Sequence, residues 1–130
     1  MSFSSLQEAV FAALPAGVVV LDDTGLVLDV NPAIRELLPV VQDPQGRPLE
    51  TAIPCEPLHR VLRVALEEHR TVECVESVGR FDLLLRGVSL GEAQGALAVV
   101  FDVTELQGAE RARSDFAASV SHELRTPVTA

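Results

Sequence analysis

No apolar run in this 130-residue chain approaches the roughly 18–20 residues that span a bilayer, and no basic-then-apolar leader is present. Cysteine is nearly missing. Cys55 and Cys74 stand in unrelated segments, with neither metal-ligand spacing nor a disulfide framework, and read as free thiols in a reducing cytosol. Basic charge is scarce as well. Ten Lys and Arg against 19 Asp and Glu leave a net charge of −9, which excludes a general nucleic-acid or anionic-membrane surface. Internal repeats and low-complexity stretches are absent. What is there is a 48 % apolar composition, enough for one packed core plus an appended element. The expected location is cytoplasmic, with a membrane anchor in a longer parent left open.

Phe3, Leu6, Val10 and Leu14 recur at spacings of three and four, the stripe of an amphipathic helix that Pro15-Ala16-Gly17 ends. "GVVVLDDTGLVLDVNP" reads as strands 18–22 and 26–30 around a turn in which Gly25 takes positive φ. Asn31-Pro32 starts a short helix: a capping side chain, then a ring whose missing N–H costs nothing there. Five prolines and Gly46 mark 39–57 as loop and broken turns. Helical period returns with Leu58, Val61, Leu62, Ala65 and Leu66 on one face. Strand-like runs follow at 71–78, 80–90 and 96–103. This order predicts an α+β domain, an antiparallel sheet with helices gathered on one side. Thr104-x-x-Gln107 is a capping-box pattern, so a further helix is expected from Thr104.

"VVVLDDTGLVLDVNP" and "FDVTEL", at this separation, resemble a PAS domain, whose five-stranded antiparallel sheet and helices can enclose a small apolar pocket. "DFAASVSHELRTPVTA" resembles the H-box that opens the phosphoacceptor domain of sensor histidine kinases, closest to the subgroup of phosphate-regulon sensor kinases. The resemblance implies that His122 is the phosphorylated histidine and Glu123 a general base. It also implies a part for Thr126 in dephosphorylating the response regulator, and a helix bend at Pro127. Asp102 and Thr104 would carry the signal out of the domain. The divisions expected are an amphipathic helix over 1–15, a PAS domain over 16–103, a linker helix over 104–114 and the start of the phosphoacceptor domain over 115–130.

On a helical projection Phe116, Val120 and Leu124 form a seam for a partner helix, and His122 stands on the opposite side. That exposure suits a nucleophile that must meet ATP and then an acceptor protein, and imidazole is largely neutral near pH 7. Val18, Val20, Leu28, Ile34, Leu62, Leu83 and Phe101 are the residues expected to face the interior, around an empty or small apolar cavity. No metal site and no cofactor are expected in this chain. ATP and magnesium belong to a catalytic domain of the parent kinase, because no nucleotide-binding box is present, and the chain alone should be inactive. The expected partners are a second copy in a homodimer, a response regulator and a small apolar ligand, with no nucleic acid. The alternative readings are a constitutive dimerisation module that binds no ligand, and a haem sensor ligating through His59 or His69 or a flavin sensor through Cys55, around which the flavin-binding pattern is absent.

Overall fold

The computed structural model describes residues 3–106, with side chains from residue 5 onward. The elements run α1 (Phe3–Ala13), β1 (Gly17–Leu21), β2 (Val27–Val30), α2 (Pro32–Leu37), α3 (Leu49–Ala52), α4 (Glu56–Glu68), β3 (Val72–Val78), β4 (Phe81–Ser89) and β5 (Ala96–Asp102). The five strands form one antiparallel sheet in the order β2-β1-β5-β4-β3. The α+β class and the five-stranded antiparallel sheet expected from the sequence are both found.

Local chemistry accounts for the boundaries. The β1–β2 turn closes on Gly25, whose φ of +90° is open to glycine and strained for other residues. Asn31 caps α2 by accepting from the Ile34 N–H, with Pro32 in the first turn. Pro39 pushes Leu38 into extended backbone and stops that helix. The stretch 39–57, expected as loop and broken turns, holds the one-turn α3, started by Pro48, whose carbonyl accepts from Thr51 and Ala52. Helix α4 ends with His69 in the left-handed region, at φ 50°.

The core lies between the sheet and helices α2, α3 and α4. Val19, Leu21, Ile34, Ile53, Leu58, Val61, Leu62, Leu83, Leu85 and Val100 form one buried cluster there. Close approach of α4 to β4 depends on Gly87, where a Cβ would collide with the Val61 carbonyl. The register pairs Gly17 of β1 with Val100 of β5, so the chain comes into the sheet beside the place where it leaves.

The opposite face of the sheet is apolar too. Side chains alternate between faces along a strand. With Val19, Leu21, Leu83, Leu85, Ala98 and Val100 inside, Val18, Val20, Leu84, Val88, Leu97, Val99 and Phe101 therefore share the outer face. Most of these are half-buried, and Phe101 is exposed.

Candidate functional site

The exit from β5 is built on two consecutive hydrogen-bonded groups. Asp102 ends the strand, and its Oδ1 accepts from the Thr104 N–H at 3.0 Å and from the Thr104 hydroxyl at 2.6 Å. Thr104 Oγ1 in turn accepts from the Asp82 N–H at 2.9 Å. Val103 N–H donates to the Asp82 carbonyl at 2.8 Å, and Ser77 Oγ donates to the Asp82 carboxylate at 2.7 Å. The Thr104 side-chain hydrogen bond, then its backbone N–H, hold the Asp102 carboxyl below the usual carboxylate value. A helical turn begins at Thr104. Its first residue is thereby tied to β4, and through Asp82 to the β3–β4 hairpin.

Asp102 and Thr104 thus meet at this node, joined by Asp82 and Ser77, which sequence reasoning passed over. The sequence signal for Asp82 is a lone aspartate between Phe81 and Leu83 in the apolar run "RFDLLLRG", and the structure buries it.

The residues expected to line the interior divide. Ile34, Leu62 and Leu83 are fully buried in the core between sheet and helices. Val18 is buried and Val20 half-buried, but both have the parity of the outer face. Leu28 is 53 % exposed and Phe101 37 % exposed, which corrects their placement. The reason is physical: both faces of β1 and β5 carry apolar side chains, so alternation does not mark which one is inside. Leu28 sits beside an irregularity in the β1–β2 register that turns it outward.

His59 is packed rather than open. Its Nε2 lies 2.6 Å from the Ile53 carbonyl and 3.3 Å from the Cys55 nitrogen, and Nδ1 is 3.9 Å from a Glu56 carboxylate oxygen. His69 lines an open surface depression with Asp23, Leu66, Gly91, Ala93 and Gly95. Burial pushes both the Cys55 and Cys74 thiols up, which keeps them protonated, although the Arg60 guanidinium opposes the shift at Cys74. Among the described residues no three His, Cys, Asp or Glu side chains are grouped to hold a metal ion. No helix among them is long and apolar enough to cross a membrane.

Leu6, Val10 and Leu14, three of the four residues in the N-terminal stripe, are exposed. The C-terminal seam of Phe116, Val120 and Leu124, and the motif residues His122, Glu123, Thr126 and Pro127, lie outside the described residues.

Known proteins are similar to this chain. The PAS domain family is matched over residues 5–70. The chain is 35 % identical over 133 aligned positions to the alginate biosynthesis sensor protein KinB of Pseudomonas aeruginosa, covering 94 % of this chain but only 22 % of KinB. A 39-residue stretch is 59 % identical to the sensor protein kinase WalK of Staphylococcus aureus, 30 % of this chain and 9 % of WalK. Among solved structures, the PAS domain of histidine kinase ThkA superposes with a TM-score of 0.59 at 17 % identity, over 67 % of this chain and 98 % of that one. The PAS domain of Bordetella pertussis BvgS gives 0.58 at 17 % identity, over 90 % and 94 %. The chain therefore spans under a quarter of the length of the sensor kinases it matches.

Proposed function

Because this chain belongs to the PAS domain family and is homologous to sensor histidine kinases, we propose that it is the sensory and dimerisation region of a two-component sensor histidine kinase, controlling phosphorylation of His122. The observation that carries this reading is the alignment with KinB, which runs through 94 % of the chain and so continues past the PAS fold. In this reading 16–103 is the PAS domain, 104–114 a linker, and 115–130 the start of a phosphoacceptor domain of the phosphate-regulon type.

The chemistry assigned to the motif is nucleophilic phosphoryl transfer. A neutral imidazole nitrogen of His122 attacks the γ-phosphorus of ATP, ADP leaves, and Glu123 takes the imidazole proton as general base. ATP and magnesium are held by a separate catalytic domain. The phosphoryl group then passes to a response regulator, and Thr126 helps orient the water that later removes it from that partner. The kinase acts in the cytoplasm as a homodimer, and the parent is open to a membrane anchor elsewhere.

The sensory step is a population shift. A small apolar ligand, or a partner, moves the equilibrium between two arrangements of the PAS domain only by as much as its affinities for them differ. The Asp102–Thr104–Asp82 node carries the change into the residues that lead to His122. The exposed stripe on α1 supports the homodimer, since a row of apolar side chains at helical spacing gains by packing on a second copy.

Autophosphorylation of the full-length kinase tests the reading. The unaltered protein should form an acid-labile, alkali-stable phosphohistidine, and His122→Gln should abolish it while leaving fold and dimer intact. Phosphohistidine persisting in the His122→Gln kinase would overturn the assignment.

A further inference from the structure

Asn31 is fully buried, and every hydrogen-bonding position of its carboxamide is engaged. Oδ1 accepts from the Val18 N–H at 2.8 Å and from the Ile34 N–H at 3.3 Å. Nδ2 donates to the Ala16 carbonyl at 2.8 Å and to the Phe11 carbonyl at 3.4 Å. The two halves of the side chain serve different elements. The accepting half is what a helix N-cap needs, and aspartate would supply it as well as asparagine.

The donating half does nothing for α2. It reaches back to α1, where Phe11 lies in the last turn and its carbonyl belongs to the set that a helix leaves without intrahelical partners. Ala16 carries the second carbonyl, in the link between α1 and β1. Along the rest of α1, residues 6–10, 12 and 13 are exposed, and Phe11 itself is half-buried. An amide at position 31 is therefore explained by α1 and not by the cap. A carboxylate there would turn an oxygen towards two carbonyl oxygens.

We infer that the Asn31 carboxamide is the fastening that sets α1 against the PAS core, so that displacement of β1 or α2 is passed to α1. Asn31 is a positioning residue. It touches the starts of β1 and α2 with one atom and the end of α1 with the other, and a planar amide transmits the motion of one to the other. The helix it holds is the one with the exposed apolar stripe, so the same side chain aims that stripe. This last consequence for signalling rests on the sensor-kinase reading; the fastening itself does not.

Amide hydrogen exchange on the whole chain, unaltered and Asn31→Asp, tests the inference. At pH 7 the substitution should speed exchange in residues 5–13 by about tenfold, with α4 and β4 changing by about twofold or less. At pH low enough to protonate the introduced carboxylate, one hydrogen bond to a carbonyl returns and part of the α1 protection with it. Equal acceleration in every segment, or none in α1, would overturn the fastening. If Asn31→Asp does not fold, the unaltered chain decides. Scalar coupling across the hydrogen bond from Asn31 Nδ2 to the Ala16 carbonyl carbon is expected, and its absence overturns the inference. In the full-length kinase, Asn31→Asp should alter the rate of His122 labelling. A full-length kinase that never labels His122 would sink the signalling reading and leave the exchange result standing.

Discussion

The Asp82 N–H donates to the Thr104 hydroxyl oxygen at 2.9 Å, joining two residues 22 positions apart in sequence. The same hydroxyl donates to Asp102, so one oxygen bridges the start of β4 and the end of β5. Thr104→Val keeps the shape and removes both bonds. It should destabilise the domain by about 1 kcal/mol in urea denaturation, and Thr104→Ser should lose less. An unchanged midpoint in the valine variant would show that the bridge contributes nothing.

The same node sets a pH dependence. The folded state holds the Asp102 carboxyl below its usual value, so its contribution to stability is present above the unfolded carboxylate pKa, near 3.9, and is lost as pH falls through the lower folded value. Asp22 behaves alike, because the Thr24 hydroxyl and nearby backbone N–H groups hold its carboxylate. Carboxyl-carbon NMR titration should show Asp102 titrating lower in the unaltered chain than in Thr104→Val.

The two classes of interior candidate separate on truncation. Leu62→Ala removes a fully buried side chain between α4 and the sheet and should cost about 2–5 kcal/mol. Leu28→Ala removes an exposed one and should stay within about 0.5 kcal/mol of the unaltered chain. Similar losses for both, by chemical denaturation, would contradict the placement of Leu28.

Gly87→Ala drives a methyl group into the Val61 carbonyl, which cannot move without shifting α4. A loss of about 1–3 kcal/mol is expected, with a lower Tm in calorimetry. A neutral outcome would mean that α4 slides freely over β4.

The stripe on α1 is open to direct test by mass. Val10→Asp places a charge among Leu6 and Leu14 and should move the chain towards monomer in sedimentation equilibrium. Phe116→Asp, in the seam proposed for the following helix, should act in the same direction. An unaltered chain that is monomeric at high micromolar concentration would end the dimer proposal for this region.

Element order was legible because punctuation carries it. Asn31-Pro32, Gly25 and Pro39 each have a local conformational reason, and each sits at a boundary. The face assignment was not legible. Val18 and Val19 are adjacent, both apolar and both buried, and Val100 and Phe101 are likewise apolar neighbours on opposite faces. Alternation informs only when one face is polar. Helix α3 is legible only as one of the broken turns in 39–57, because four residues are too few for a helical period to show. At the exit, Asp102 and Thr104 were readable as a local pair, whereas Ser77 and Asp82 join them only through the pairing of β3, β4 and β5. Asn31 was readable as a cap, but its donors act across 15 and 20 residues and have no signature in the neighbouring sequence.

The pairing of Gly17 with Val100 has an architectural consequence. Adjacent strands lie roughly 5 Å apart, so the polypeptide arriving at β1 and the polypeptide departing from β5 pass side by side at one end of the sheet. A fold wired this way can be spliced into a longer chain like a loop, without prising apart the segments on either side. It also offers those segments a short common anchorage. A small rotation of β1 and β5 against each other is felt by both neighbours at once, whichever of them bears the load.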